Sequence, residues 1–272
     1  MQPELSHWNP KNAFEADDSY EYYQKELKQT ILWLANHPSF VMLTFGNELW
    51  TGELGHHRMD LMVELAHSVD TTRLYANGSN PHYGNIGCDA ASDFYTSQKY
   101  FEHPLRGTFA GQIPGKGIEG YINNDYPSAT VSYDESMKHL RETYKKPVFS
   151  FEVGQFEVLP DFGELEEFHG ISDPVNIRLI QEKADKLGLL DNWDAYVKAT
   201  GEISRIGYRE EVEAAMRTED MSGISLLGLQ DFPGQGTALV GMLNSHMQSK
   251  PFDFANPERF ASFFRAQLPL VA

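Results

Sequence analysis

The chain has 272 residues, and its 41 % hydrophobic and 12 % aromatic content can bury a sizeable core, which excludes a disordered or collagen-like protein. The net charge is −17, from 22 Lys and Arg against 39 Asp and Glu, which disfavours binding to nucleic acid or an anionic membrane surface. A lone cysteine, Cys88, excludes an internal disulfide and a cysteine-based zinc site, and no apolar run reaches the roughly 18 residues needed to span a bilayer.

Met1-Gln2-Pro3-Glu4 has neither the basic nor the apolar region of a signal peptide. Gln2 to Leu5 is expected to be a short strand, with Glu4 and His7 at its end. A helix is expected over 20–35, where Tyr23, Leu27, Ile31 and Leu34 recur at helical spacing behind the capping residues Asp17, Asp18 and Ser19. Phe40 to Phe45 reads as a buried strand that ends at Gly46-Asn47-Glu48. A helix over about 58–69 and a strand over 73–76 follow, then the turn residues Asn77 to Asn80. A short strand is expected at 93–95, and 104–131 is a long Gly/Pro/Asn-rich loop. Ser132 to Glu135 has the form of a capping box opening a helix to about Lys145, with Met137, Leu140 and Tyr144 inward. Pro147 to Phe151 is a strand ending at Glu152. A helical insert is expected within 157–218, broken near Gly188 and Gly201. A strand over 224–229 and a helix over about 257–267 close the chain.

Strands separated by helices imply parallel pairing with right-handed crossovers. Acidic and amide residues stand at several strand ends: Glu4, Asn47-Glu48, Asn80, Glu152 and Gln230-Asp231. No glycine-rich phosphate loop follows the first strand. A (β/α)8 TIM-barrel type of α/β fold is therefore expected, since barrels build their sites at that rim. Such a barrel uses roughly 30 residues per unit, yet only one unit precedes the strand that leads to Glu48. The chain thus reads as strands 3 to 8 of a barrel in one domain over 1–272, with an upstream segment or a partner chain completing it. Its open edges would otherwise be costly.

The pair of glutamates carries the chemistry. Each follows an apolar strand, where a carboxylate is costly to bury unless it is paired or used. Glycoside hydrolysis needs two such groups, one to protonate the leaving oxygen and one to attack the anomeric carbon or activate water. The strings His37-Pro38-Ser39 with Gly46-Asn47-Glu48, and Lys146-Pro147-Val148-Phe149 with Glu152 and Gly154, resemble the catalytic barrel of glycoside hydrolase family 2. That resemblance implies a retaining exo-glycosidase acting on terminal non-reducing sugars, β-galactosidase-like in the favoured form, with no cofactor or metal. It implies Glu48 as general acid/base and Glu152 as nucleophile. It implies Asn47 as the ligand of the hydroxyl beside the reacting carbon, and Tyr95 as the tyrosine that hydrogen-bonds the nucleophile. The alternative is a carbohydrate-binding remnant without catalysis.

Sugars stack their C–H faces on aromatic rings, so Trp8, Trp50, Tyr83 and Phe232, all near strand ends, are candidate platforms, with Trp50 first because it lies closest to Glu48. His7, Asn80 and Gln230 are further candidate sugar ligands. Three motifs are set aside. Residues 115–120 match G-x-G-x-x-G without a strand before or a helix after. His56-His57 cannot grip one metal from a helix face. Asn77-Gly78-Ser79 is a glycosylation sequon of a kind common by chance.

Overall fold

A computed structural model describes residues 1–81, 88–107, 130–232 and 239–265. The expected Tyr83 platform, the glycine motif at 115–120 and most of the 104–131 loop lie outside the described residues, as does the end of the last helix.

The helices are α1 (Asp17–Leu34), α2 (Glu53–Val69), α3 (Asp134–Arg141), α4 (Val175–Lys186), α5 (Trp193–Arg217) and α6 (Pro257–Ala261). The strands are β1 (Met42–Thr44), β2 (Leu74–Ala76), β3 (Tyr95–Ser97), β4 (Lys99–Tyr100), β5 (His103–Pro104), β6 (Val148–Gly154) and β7 (Gly223–Leu227). β1 pairs with β2, β3 with β6 and β6 with β7, all in parallel. Residues 4–8 extend this order through parallel bridges from Glu4 to Thr44 and from Trp8 to Asn47. Hydrogen bonds from Asp93 N to Tyr75 O and from Asn80 N to Thr96 O, at 2.8 and 2.9 Å, join β2 to β3. The result is a wall of six parallel segments in chain order, a partial barrel. Among the described residues no pairing joins the 4–8 segment to β7, so the wall does not close.

Helices pack on the wall through three apolar clusters along its length. Leu5, Phe14, Leu27, Ile31, Leu43, Phe45 and Met59 join the first two segments to α1 and α2. Tyr95, Tyr100, Met137, Leu140, Tyr144 and Val148 join β3 and β6 to α3. Val153, Tyr208, Val212, Phe254 and Phe260 lie between β6, α5 and α6.

The element order follows the sequence, and the deviations have local causes. α1 begins at Asp17 with Ala16 as its cap, so the two aspartates stand in the first turn and favour its dipole rather than cap it. The capping box at 132–135 does not form. Tyr133 is the cap residue, Asp134 Oδ1 accepts from Glu219 N, and the helix stops at Arg141. Gly188 ends the helical run at φ 68°, but Gly201 does not break α5. A Cβ there would lie 2.2 Å from the Phe254 ring, so the glycine permits close packing. The sequon is buried: Asn77 is 1 % exposed and donates to Asp60 Oδ1 at 3.1 Å.

Gly154 ends β6 two residues past Glu152. Its φ is 115°, and a Cβ would stand 2.1 Å from the Tyr208 ring. Gly154→Ala therefore combines a left-handed strain with overpacking, at about 2–4 kcal/mol. Chemical denaturation should read that loss; an unchanged midpoint would show that this strand end tolerates a side chain.

Candidate active site

The wall's C-terminal rim opens into a cleft of about 680 Å³, lined by Glu4, Trp8, Asn47, Glu48, Gln98, Arg106, Glu152, Gln155, Leu227 and Phe232. These come from the 4–8 segment, the turns after β1, β3 and β6, the segment after β5, and the β7 end. The two glutamates that the sequence placed more than a hundred positions apart thus share one cavity.

Backbone geometry explains how. Glu48 has φ 54°, Asn80 φ 42° and Glu152 φ 55°. Left-handed conformations are uncommon for such residues and concentrate at functional sites. Glu48 and Asn80 follow β1 and β2 at the rim, and Glu152 lies at a register shift inside β6, between the paired residues Ser150 and Val153. The turn at Glu48 is helped by Gly46, whose Cβ would strike His7 O at 2.2 Å.

Glu48 is half-buried. Its Oε2 accepts from Trp8 Nε1 at 3.1 Å, and its Oε1 from Asn80 Nδ2 at 3.4 Å. Asn80 is itself held, its Oδ1 accepting from Ser97 Oγ and Gln98 N. Asn47 lines the cleft with a buried Oδ1 that has no hydrogen-bond partner among the described residues.

The Glu152 side chain is 13 % exposed. Gln98 Nε2 donates to its Oε2. The Arg106 guanidinium, 4 % exposed, donates from Nη1 to the Glu152 carbonyl and lies 3.7 Å from Oε2. Burial raises the Glu152 pKa above the ordinary carboxylate range. Arg106 and the Gln98 hydrogen bond oppose that rise, while Glu4 and Glu48 add to it. Glu4 is likewise raised, by the protein packed around its carboxyl and by Glu48, although the residue as a whole is exposed toward the open edge. Among the described residues no cluster of three His, Cys, Asp or Glu could hold a metal ion.

Several expected ligands stand elsewhere. Tyr95 does not reach Glu152. It faces the helices from β3, and its hydroxyl donates to Lys99 O at 2.9 Å among Tyr100 and Tyr144. Trp50 is not among the described lining, because the chain turns away after Glu48 and Trp50 N pairs with Pro10 O. His7 stacks on Tyr23 at 4.4 Å and meets Phe14 edge-on, behind the cleft. Gln230 donates to Ser245 O and lines a neighbouring cleft of about 400 Å³ with Phe232 and His246. Below it, Asp231 and Lys250 form an ion pair at 2.9 Å, each side chain 1 % exposed. Sequence reasoning missed Gln98 and Arg106. Gln98 closes an ordinary-looking Tyr-Thr-Ser-Gln string, and Arg106 opens a loop without a motif.

Comparison with known proteins agrees with this architecture. No curated protein sequence matches the chain. A β-galacturonidase from Eisenbergiella tayi, solved with galacturonate, superposes with a TM-score of 0.56 at 15 % identity over 97 % of this chain and 40 % of its own. A β-glucuronidase of an uncultured Clostridium sp. superposes at 0.55 and 18 % identity, over 94 % of this chain and 39 % of its own. β-Glucuronidase 3 of Bacteroides uniformis gives 0.56 and 16 %, over 98 % and 30 %. These likenesses concern the fold, and the chain spans well under half of each relative. The family model for the TIM barrel domain of the glycosyl hydrolases family 2 matches residues 1–173. The chain belongs to that family.

Proposed function

We propose that this chain carries the catalytic centre of a retaining exo-glycosidase. The observation behind this reading is that Glu48 and Glu152, each in a left-handed backbone conformation near the rim, line one cleft of about 680 Å³. In the first step Glu152 attacks the anomeric carbon while Glu48 protonates the departing oxygen. In the second, Glu48 takes a proton from water, which displaces Glu152 and frees the sugar. The contacts on each carboxyl fit these roles. Glu152 is held by Gln98 and Arg106 beneath it, as a nucleophile must be. Glu48 is half-buried and accepts from the side-chain N–H donors of Trp8 and Asn80, and it lines the cleft from which a proton would be exchanged. Asn47, with its unused buried oxygen, is placed to bind a sugar hydroxyl, and Trp8 and Phe232 offer the stacking faces.

The cleft's charge bears on the sugar. Its described lining has three carboxylates and one guanidinium, and the guanidinium already serves Glu152. A neutral terminal sugar such as a galactoside suits this lining better than a uronic acid, which would add a fourth negative charge. The relatives named as uronidases share too little sequence to carry their specificity across.

The second reading, a carbohydrate-binding remnant, has its own observation: the wall is open, leaving Trp8 67 % exposed. An upstream segment or a second chain pairing with residues 4–8 would complete the rim. Sugar binding without hydrolysis of aryl glycosides would favour the remnant.

Glu152→Gln should abolish turnover of aryl β-glycosides, a fall of about 10³-fold or more. Glu48→Ala should lose most activity on poor leaving groups and keep a far larger share on nitrophenolates. Activity within a few fold of wild type in either variant contradicts the assignment.

The raised Glu152 pKa also has a stability consequence. The folded state favours the protonated carboxyl, so the stability this group contributes is present below the ordinary carboxylate range and lost as pH rises through its elevated pKa. Glu152→Gln should therefore melt above wild type at neutral pH, with the gap closing as the pH falls into that range. A gap that widens on acidification would show that the group ionises more easily in the folded protein.

A further inference from the structure

Arg106 and Gln98 come from the two ends of one small hairpin. β4 and β5 pair antiparallel between them, and Leu105 N returns to Gln98 O at 2.8 Å. The hairpin is also pinned to the strand that carries Glu152, since Ser150 Oγ donates to Leu105 O at 2.6 Å. Its two ends both reach Glu152. Gln98 donates to Oε2, and Arg106 donates to the main-chain carbonyl of the same residue. From α5, behind them, the buried Glu211 accepts from Gly154 N at 2.9 Å and adds its charge to the Arg106 environment.

The geometry points to a clamp: the β4–β5 hairpin, through Gln98 and Arg106, fixes the direction of the Glu152 carboxylate and favours its charged form. Both are positioning residues, and the assignment rests on reading Glu152 as the nucleophile. The need for a clamp is physical. Glu152 sits at φ 55° and is mostly buried. Both the left-handed backbone and the burial of the charged carboxyl cost free energy. Arg106 opposes both, because one guanidinium touches the residue's carbonyl and faces its carboxylate. A lysine could keep the charge but not the fork of donors. The other charged groups facing Glu152 are Glu4 from the 4–8 segment and Glu48 from the turn after β1, and both act against ionisation. The clamp must outweigh them for the nucleophile to be charged.

The test is a carboxyl titration of the whole chain labelled with 13C at glutamate Cδ. The Glu152 signal is identified by its loss in Glu152→Gln. Arg106→Gln should raise the Glu152 midpoint by about one pH unit or more, since an opposite charge this close normally lowers a carboxyl by at least that much. Arg106→Lys should restore most of the difference. Gln98→Met, which keeps the volume and removes the donor, should raise the midpoint by a smaller amount. If Arg106→Gln does not fold, Gln98→Met decides. A Glu152 midpoint unmoved in the folded variants overturns the clamp. The titration needs no turnover, so shifts as described in a chain that hydrolyses no glycoside would keep the clamp and remove the glycosidase reading instead.

Discussion

The contact between a buried guanidinium and a buried carboxylate organises this molecule. Glu152 lies two residues from the end of a seven-residue strand whose Val148 and Val153 belong to two apolar clusters. Charge at such a place is unstable alone. Arg106 offsets it from below, Gln98 from the side, and Glu211 ties the next turn of backbone to α5. Much of the local sequence serves this one group. Gly154 lets Tyr208 pack against the strand end, and the β4–β5 hairpin brings two donors together that are eight positions apart. The net direction still disfavours ionisation, as is common where a site trades stability for chemistry.

The opposite wall is built differently. Glu48 stands near the open edge, and its partners are the indole of Trp8 and the amide of Asn80. One carboxyl thus lies beside a guanidinium, while the other is half-buried against an indole and an amide. Two-carboxylate chemistry needs that inequality, because one group must remain an anion while the other cycles a proton. The unpaired edge of the 4–8 segment, among the described residues, lies on the same side of the cleft. Closing that edge would cover Trp8 and Glu4 and dry the surroundings of Glu48.

Much of this was legible in the sequence, and the reason is local. Asn47-Glu48 follows one apolar strand and Glu152 lies near the end of another, so their position follows from the strand pattern and their convergence from the barrel rim. The count of six parallel segments follows from the same alternation. The errors arise where neighbourhood in sequence stands in for neighbourhood in space. Trp50 is near Glu48 in the chain, but a left-handed turn separates them and Trp8, from another segment, takes the contact. Tyr95 has its ring on the helix side of β3, so Gln98 meets Glu152 instead. His7 is absorbed by aromatic packing with Tyr23 and Phe14. Arg106 left no trace in the sequence, since its role depends on a hairpin folding back and not on any pattern of residues.

The most direct measurement of the central claim is covalent trapping. Activated 2-deoxy-2-fluoro β-glycosides of galactose, glucose, mannose and glucuronic acid would be incubated with the chain, and the modified peptide mapped by mass spectrometry. The account predicts one glycosyl adduct on Glu152, formed faster from a neutral sugar than from the uronide and absent in Glu152→Gln. An adduct on Glu48 or on any other carboxylate, or hydrolysis of these sugars with Glu152 unmodified throughout, would contradict it.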